Sequence, residues 1–211
     1  MTRVLLAVIS SYLLGSIPTA YIFGKRLKGI DIREHGSGNV GATNVFRVLG
    51  KGPGVCVLLL DIIKGFVPLV LLTNIFQIND VRVLLLLAVA AVCGHNWTVF
   101  LNFKGGKGIA TSFGALIGLA VQVANFRPVL LGAVLVWGAV FGLTAIISVA
   151  SIAAALALPV LMMLTGQPVE LILLGAVFCL FVVVRHRPNI RRLLSGQEPK
   201  VPLPFHSPRS K

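Results

Sequence analysis

Acidic residues are scarce: the 211-residue chain holds six Asp and Glu against nineteen Lys and Arg, a formal net charge of +13. The six carboxylates are scattered, so no metal-ligand set is present, and neither a metal nor a cofactor is expected. Charged residues of both signs make up only 12% of the chain. A soluble domain of this length needs far more polar surface than that. Cysteine is sparse too. Cys56, Cys93 and Cys179 lie far apart in apolar stretches, which excludes disulfide and zinc spacings. They are expected to be buried small hydrophobes.

What fills the chain is apolar: 56% hydrophobic residues and a mean hydropathy of +0.94. The expected fold class is an all-α polytopic membrane protein, a single integral membrane domain over residues 1–211. An apolar run of about 20 residues can cross the roughly 30 Å hydrocarbon core as a helix. Seven candidates are present, at about 4–23, 54–76, 81–101, 109–124, 129–147, 149–165 and 169–184. The uncharged stretch from Val129 to Leu164 would be about 54 Å long as one helix, so it must turn back. The expected turn is at Ser148–Ser151, where small polar residues interrupt the run. A five-pass arrangement with re-entrant pieces stands as the alternative.

Lys and Arg collect in three clusters between the apolar runs: Lys25 to Lys51, Lys104 with Lys107, and Arg185 to Lys211. That placement fits membrane orientation and capture of anionic substrates better than nucleic-acid binding. Seven passes put all three clusters on one face, leaving Arg3, Arg82 and Arg127 on the other. The N-terminus is then outside and the C-terminus cytoplasmic. Arg3 followed by an apolar run resembles a leader, yet no clear A-x-A site follows, so the segment is expected to be retained. Residues 199–211 are proline-rich and basic, and are expected to form a flexible tail.

The stretch HGSGNVGATN, residues 35–44, contains G-x-G-x-x-G, with Asp61 twenty positions beyond Gly41. A dinucleotide turn is excluded by context, because a charged loop precedes it and Asp61 sits inside an apolar run. Closely spaced glycines can still turn successive backbone N–H groups toward an anion. Gly38 and Gly41 supply that freedom, Ser37, Asn39, Thr43 and Asn44 add side-chain donors, and Arg47 adds a planar fork suited to phosphate. A solvated turn capping the next helix is the plainer alternative. A second stretch, NFKGGKGIATS, sets Lys104 and Lys107 around Gly105 and Gly106, with Gly108 before a helix expected from Ile109. It is no Walker motif, but the free N–H groups of that helix would face the loop. Two glycine-and-cation loops on one face suit two phosphate groups. In RHRPNIRRLLSGQEPK, residues 185–200, the arginines suit a headgroup anchor. His186 and Asn189 stand out there as neutral polar groups where an apolar run ends. Asp61 and Lys64, three apart, should face each other, either as a helix-stabilising pair or around a functional cavity.

Taken in order, LLGSIPTAYIFGK, SGNVGATNVFRVLGKGPG, DIIKG, GHNWTVFLNFKGGKGIATSFG and RHRPNIRRLLSGQEPK resemble the bacterial acyl-phosphate:glycerol-3-phosphate acyltransferase family, often called PlsY. The resemblance runs from about residue 10 to 200. It implies a seven-pass enzyme of the bacterial inner membrane with its active site at the cytoplasmic surface. The implied reaction moves a fatty acyl group from acyl phosphate to the 1-hydroxyl of glycerol 3-phosphate, giving lysophosphatidate and inorganic phosphate. By motif, the family's phosphate-binding residues fall on Ser37, Arg47, Lys107, His186 and Asn189, with Ser151 in a fourth cytoplasmic segment. One departure is visible: LTAII precedes Ser151 where family members often carry a basic residue. Arg47 and Lys107 are then expected to stabilise charge, and His186 is the candidate for proton transfer. Expected partners are the two substrates, membrane lipids and the enzyme that makes acyl phosphate, with no nucleic acid. The H-x-x-x-x-D pattern of many other acyltransferases is absent. A transporter of phosphate or a phosphorylated metabolite is the runner-up, and a non-catalytic assembly factor the third reading.

Overall fold

A computed structural model describes residues 1–202, and within them regular structure is entirely helical. The expected all-helical class is met. Five helical stretches are long and apolar enough to cross a membrane: Thr2–Lys28, Lys51–Phe76, Val81–Leu101, Ala124–Thr144 and Ile147–Leu164. A sixth is the pair Val169–Arg185 and Arg187–Leu194, bent by 59°. The apolar helix Ile109–Gln122, at 14 residues, is shorter. Large apolar side chains such as Leu59, Leu86, Leu135 and Leu173 are exposed, as expected of a chain whose solvent is lipid. The described residues divide into two compact units, Met1–Asn125 and Phe126 onward.

In the first unit, α1 (Thr2–Ser16) packs along α6 (Val81–Asn96), and α4 (Lys51–Val67) along α7 (Ile109–Gln122). Between them in sequence come α2 (Thr19–Lys28), α3 (Ala42–Leu49) and the short α5 (Thr73–Phe76). Pro68 opens a five-residue π segment that leads from α4 into α5. Glycine sets both main crossings. A β-carbon on Gly15 would overlap the Ala91 backbone, and one on Gly94 would overlap the Tyr12 carbonyl. In the other pair, Gly65 would meet the Thr111 carbonyl and Gly114 that of Ile62. In lipid no hydrophobic force drives helices together, so this backbone approach and its van der Waals contacts carry the packing. Gly114→Leu and Gly94→Leu are therefore expected to cost about 3 kcal/mol or more, since a backbone overlap cannot be relieved by a rotamer change. Gly138→Leu, whose β-carbon meets nothing within 4 Å, should cost almost nothing. Thermal unfolding in detergent compares them.

Near the loops a small core of Ala20, Ile32, Val40, Val45, Val57 and Leu101 binds α2, α3 and α4 to the connecting segments. In the second unit α8 (Arg127–Thr144) packs on α9 (Ile147–Leu164), and α9 on α10 (Val169–Arg185), which α11 (Arg187–Leu194) follows. Its buried side chains include Phe126, Val129, Leu158, Met162, Leu171 and Phe178.

Two expectations need correction. The return between α8 and α9 lies at Ala145–Ile146, not at Ser148–Ser151, which are inside α9. Thr144 closes α8: its hydroxyl donates to the Val140 carbonyl at 2.7 Å and accepts the Ile146 N–H at 3.2 Å. Ala145, with φ +57°, makes the left-handed step, and its N–H bonds back to Phe141. Cys56 is exposed, not buried, and Cys93 and Cys179 are half-buried. An apolar position on a membrane helix can face lipid, so hydrophobicity does not imply burial there. Residues 203–211, most of the expected flexible tail, lie outside the described residues. The Val201 N–H bonds to the Ala145 carbonyl at 2.8 Å.

Candidate active site

The first glycine loop hangs between two anchors. At its start Asp31 accepts the Arg33 backbone N–H at 3.0 Å and grips the Arg33 guanidinium in a bidentate pair, the shorter contact being 2.6 Å. The Arg33 hydrogen bond holds the Asp31 carboxyl well below its usual range, at about 2. Arg33 also lies over the Tyr21 ring. Its charge is thus spent within the loop's base.

At the far end Asn44, fully buried on α3, ties the loop back. Its amide nitrogen donates to the Ile32 and His35 carbonyls at 3.1 and 2.9 Å, and its oxygen accepts the Ser37 N–H at 2.8 Å. Asn44 therefore shapes the loop, since every hydrogen atom its amide can donate is used. Gly36 and Gly38 have φ of +61° and +68°, so both turns require glycine. Gly41 is the N-cap of α3, with no side-chain cap. What remains outward is Ser37, exposed, with Asn39 and Thr43 half-buried. Arg47 is exposed one turn further along α3 and has no partner among the described residues.

The second loop is built from the end of α6. Thr98 donates to the Ser16 carbonyl at 2.6 Å and pins the chain, after which Asn102 and Phe103 turn it through left-handed conformations. The N–H groups of Gly105 and Gly106 return to the Asn96 and His95 carbonyls at 3.2 and 3.0 Å. Gly108, φ +79°, then opens α7 at Ile109 as expected, again with no side-chain cap. Lys104 is exposed and Lys107 half-buried. The two loops touch. A β-carbon on Gly106 would come within 2.6 Å of the Val40 carbonyl oxygen. One unit thus carries Ser37, Gly38, Asn39, Gly41, Thr43, Asn44 and Arg47 together with Lys104, Gly105, Gly106, Lys107 and Gly108, and the two loops meet at Val40 and Gly106. The uncapped N-termini of α3 and α7 follow these loops and suit phosphate oxygens, with Lys104 and Lys107 in the second loop and Arg47 in the last turn of α3.

The second unit places the remaining candidates. His186 ends α10, buried, with Nδ1 donating to the Val182 carbonyl at 2.8 Å. A carbonyl can only accept, so Nδ1 carries hydrogen and Nε2 is the ring's other polar atom. Asn189, one turn on in α11, donates to Glu198 Oε1, which also accepts the Ser148 hydroxyl at 2.7 Å. Glu198 Oε2 accepts from Arg192 Nε at 2.7 Å. Burial, the largest influence on Glu198, would raise its carboxyl, but bonds from Asn189, Ser148 and Arg192 together outweigh it and lower it. Ser151 is buried, and its hydroxyl oxygen accepts the Trp137 indole N–H at 3.3 Å.

Glu198 and Trp137 escaped the sequence reading, and Ser148 was noted there only as part of a turn. The signal for Glu198 was there: an acid within a strongly basic segment of a chain that has only six.

A family profile described as glycerol-3-phosphate acyltransferase matches residues 5–196. Curated relatives bear the same name. That of Gloeobacter violaceus is 45% identical, with 91% of this chain and 92% of its own length covered. That of Desulforudis audaxviator is 47% identical, covering 92% and 94%. Among solved structures, the crystal structure of PlsY (YgiH), an integral membrane glycerol 3-phosphate acyltransferase, in its glycerol 3-phosphate form superposes with a TM-score of 0.84. It is 41% identical and covers 94% of this chain and 96% of that one. Its lysophosphatidic acid form gives a TM-score of 0.81 at 40% identity, covering 94% and 95%. Profile, relatives and helical architecture agree: this chain belongs to the glycerol-3-phosphate acyltransferase family.

Proposed function

We propose that this multi-pass membrane protein transfers a fatty acyl group from acyl phosphate to the 1-hydroxyl of sn-glycerol 3-phosphate, the first acylation of phospholipid synthesis. One observation carries the reading: two uncapped glycine loops meet, one beside Arg47 and the other holding Lys104 and Lys107. The reported glycerol 3-phosphate and lysophosphatidic acid forms of the related structure support the acceptor and the product.

The chemistry suits such a site. The substrate hydroxyl attacks the acyl carbonyl carbon, the bond from that carbon to the phosphate oxygen breaks, and an ester and inorganic phosphate result. Both reactants carry phosphate, so holding them in a near-attack geometry supplies much of the barrier reduction, up to about 7–11 kcal/mol in intramolecular models. Arg47 and Lys107 stabilise charge on the carbonyl oxygen and on the departing phosphate. The hydroxyl proton passes to the phosphate oxygen that leaves, and in the second unit His186 is the candidate side chain for proton transfer. In the first unit the Ser37 hydroxyl binds phosphate oxygens with the loop cations; Ser151 and Asn189 are the second unit's candidates for phosphate. No cofactor enters.

For the membrane topology we propose seven passes, counting Ile109–Gln122 and Val169–Arg185 with the five longer stretches. The distribution of Lys and Arg supports an outside N-terminus, a cytoplasmic C-terminus and an active site on the cytoplasmic face of a bacterial inner membrane. The enzyme that makes acyl phosphate is then a natural associate.

Purified protein given glycerol 3-phosphate with either acyl phosphate or acyl-CoA tests the donor. Lysophosphatidate and free phosphate in equal amounts, from acyl phosphate alone, are expected. Turnover with acyl-CoA alone would overturn the donor assignment. Uptake of phosphate into proteoliposomes without any acyl transfer would put a transporter in its place.

A further inference from the structure

Four polar side chains of the first unit are buried within α4 and α6 and take no part in the chemistry above. Asp61, Lys64, His95 and Asn96 are exposed by 1%, 7%, 7% and 0%. Such groups are expensive inside a membrane. Asp61 Oδ1 accepts from the Thr19 hydroxyl at 2.6 Å and pairs with Lys64 Nζ at 2.8 Å. Lys64 also donates to the Ile17 carbonyl at 2.9 Å, between α1 and α2. That much could be helix-to-helix fastening.

His95 is the member that fastening does not explain. Its Nδ1 stands 3.7 Å from the same Asp61 oxygen. Its other edge, Nε2 and Cε1, lies so close to Gly106 that a β-carbon there would overlap the ring. Its carbonyl receives the Gly106 N–H, and the next carbonyl, of Asn96, receives that of Gly105. The Asn96 amide is fully buried, and neither of its polar atoms has a hydrogen-bond partner among the described residues. Its oxygen lies 2.7 Å from where a Gly108 β-carbon would stand. Side chain and backbone of one helix end therefore lie against Gly105, Gly106 and Gly108 of the lysine loop. The N–H groups of Gly105 and Gly106 are spent on those carbonyls, so the loop meets an anion with its lysines and the uncapped start of α7. An imidazole packed against Gly106 beside a buried carboxylate holds that backbone in place before the ligand arrives.

We propose that Asp61 and His95 form a positioning pair that fixes the backbone from Lys104 to Gly108, so that this loop meets one substrate phosphate in a set geometry. The inference rests on the reading of that loop as a phosphate site. Neither residue touches the reacting atoms, and both act through Gly105 and Gly106.

Hydrogen exchange and steady-state kinetics on the full-length protein in detergent test it, using His95→Asn, His95→Gln and Asp61→Asn. Glutamine reaches about as far as Nε2, and asparagine only about as far as Nδ1. In His95→Asn the amides of residues 103–108 should exchange at least about tenfold faster than in the wild type, and in His95→Gln less than about threefold faster. The KM for one of the two phosphate substrates should rise about tenfold or more in His95→Asn, with the other within about twofold and kcat little changed. Asp61→Asn keeps the side-chain shape, serves if His95→Asn does not fold, and should shift both readouts the same way. Loop exchange equal to wild type in His95→Asn or Asp61→Asn overturns the inference, as does an equal change in both KM values. If wild-type protein turns over no acyl phosphate, the proposed function fails, while the exchange comparison still decides what the pair does.

Discussion

Arg47→Ala and Lys107→Ala are each expected to lower acyl transfer about a hundredfold or more, the scale on which a preorganised donor to developing charge is worth having. Lys25→Ala should change it less than about twofold, as surface charges away from a site usually do. The contrast rests on place, since all three are cations in one basic face of the sequence. Lys25 lies in the last turn of α2 and leans toward the Tyr21 ring, 5.9 Å from its centre. Arg47 stands at the first loop with no protein partner among the described residues, which leaves its five N–H donors for a ligand. Lys107 sits between the two glycines that turn the second loop into α7. Arg47→Lys should recover only part of the loss, because one ammonium cannot reproduce a two-point grip on phosphate. Initial rates with both substrates saturating, beside melting temperatures that stay near wild type, make the comparison. Equal losses in all three variants would dismiss Arg47 and Lys107 as charge-stabilising groups.

Hydropathy marked out the helices because a membrane span needs a long apolar run, and each of the seven runs is mostly helical in the structure, with breaks at Ile17–Pro18, Trp97–Thr98 and Ala145–Ile146. It misplaced the return after α8, because polarity drew attention to Ser148 and Ser151 while the break is made by Thr144 and Ala145. Small polar residues fit inside a membrane helix, whereas a hydroxyl that takes over the end of a hydrogen-bond ladder does not announce itself by hydropathy. The glycine loops were legible from spacing, and their contact was consistent with the common face inferred from charge. The work of Asn44 was not, because residue type shows that an amide can donate but not where. Asp61 and Lys64 could be paired from helical geometry, three residues apart. His95 is 34 positions from Asp61, and only the packing of α4 and α6 reveals their proximity.

Glu198 is the strongest case of a residue whose role is purely tertiary, and its removal should damage both stability and rate. Its side chain is 5% exposed, and its oxygens are shared among Ser148, Asn189 and Arg192. Glu198→Ala strands buried donors, each worth about 1–3 kcal/mol when left without an acceptor. A loss near 3 kcal/mol is expected, because Arg192 is partly exposed and can turn to water. Asn189 loses its tether one turn from His186, so acyl transfer should fall about tenfold or more. Glu198→Gln separates charge from shape. It keeps an acceptor for one donor but turns an amide toward another, and its losses should be intermediate. The pH dependence has a fixed sign. A carboxyl held below its usual value stabilises the fold fully above the unfolded value of about 4.3, and that contribution disappears as pH falls through the lower folded value. Melting temperatures between about pH 3 and 7 should therefore fall more steeply below about pH 4 in the wild type than in Glu198→Gln, which has no proton to gain. Parallel curves for the two proteins would mean that the ionised carboxylate is not what holds α11 to the start of α9.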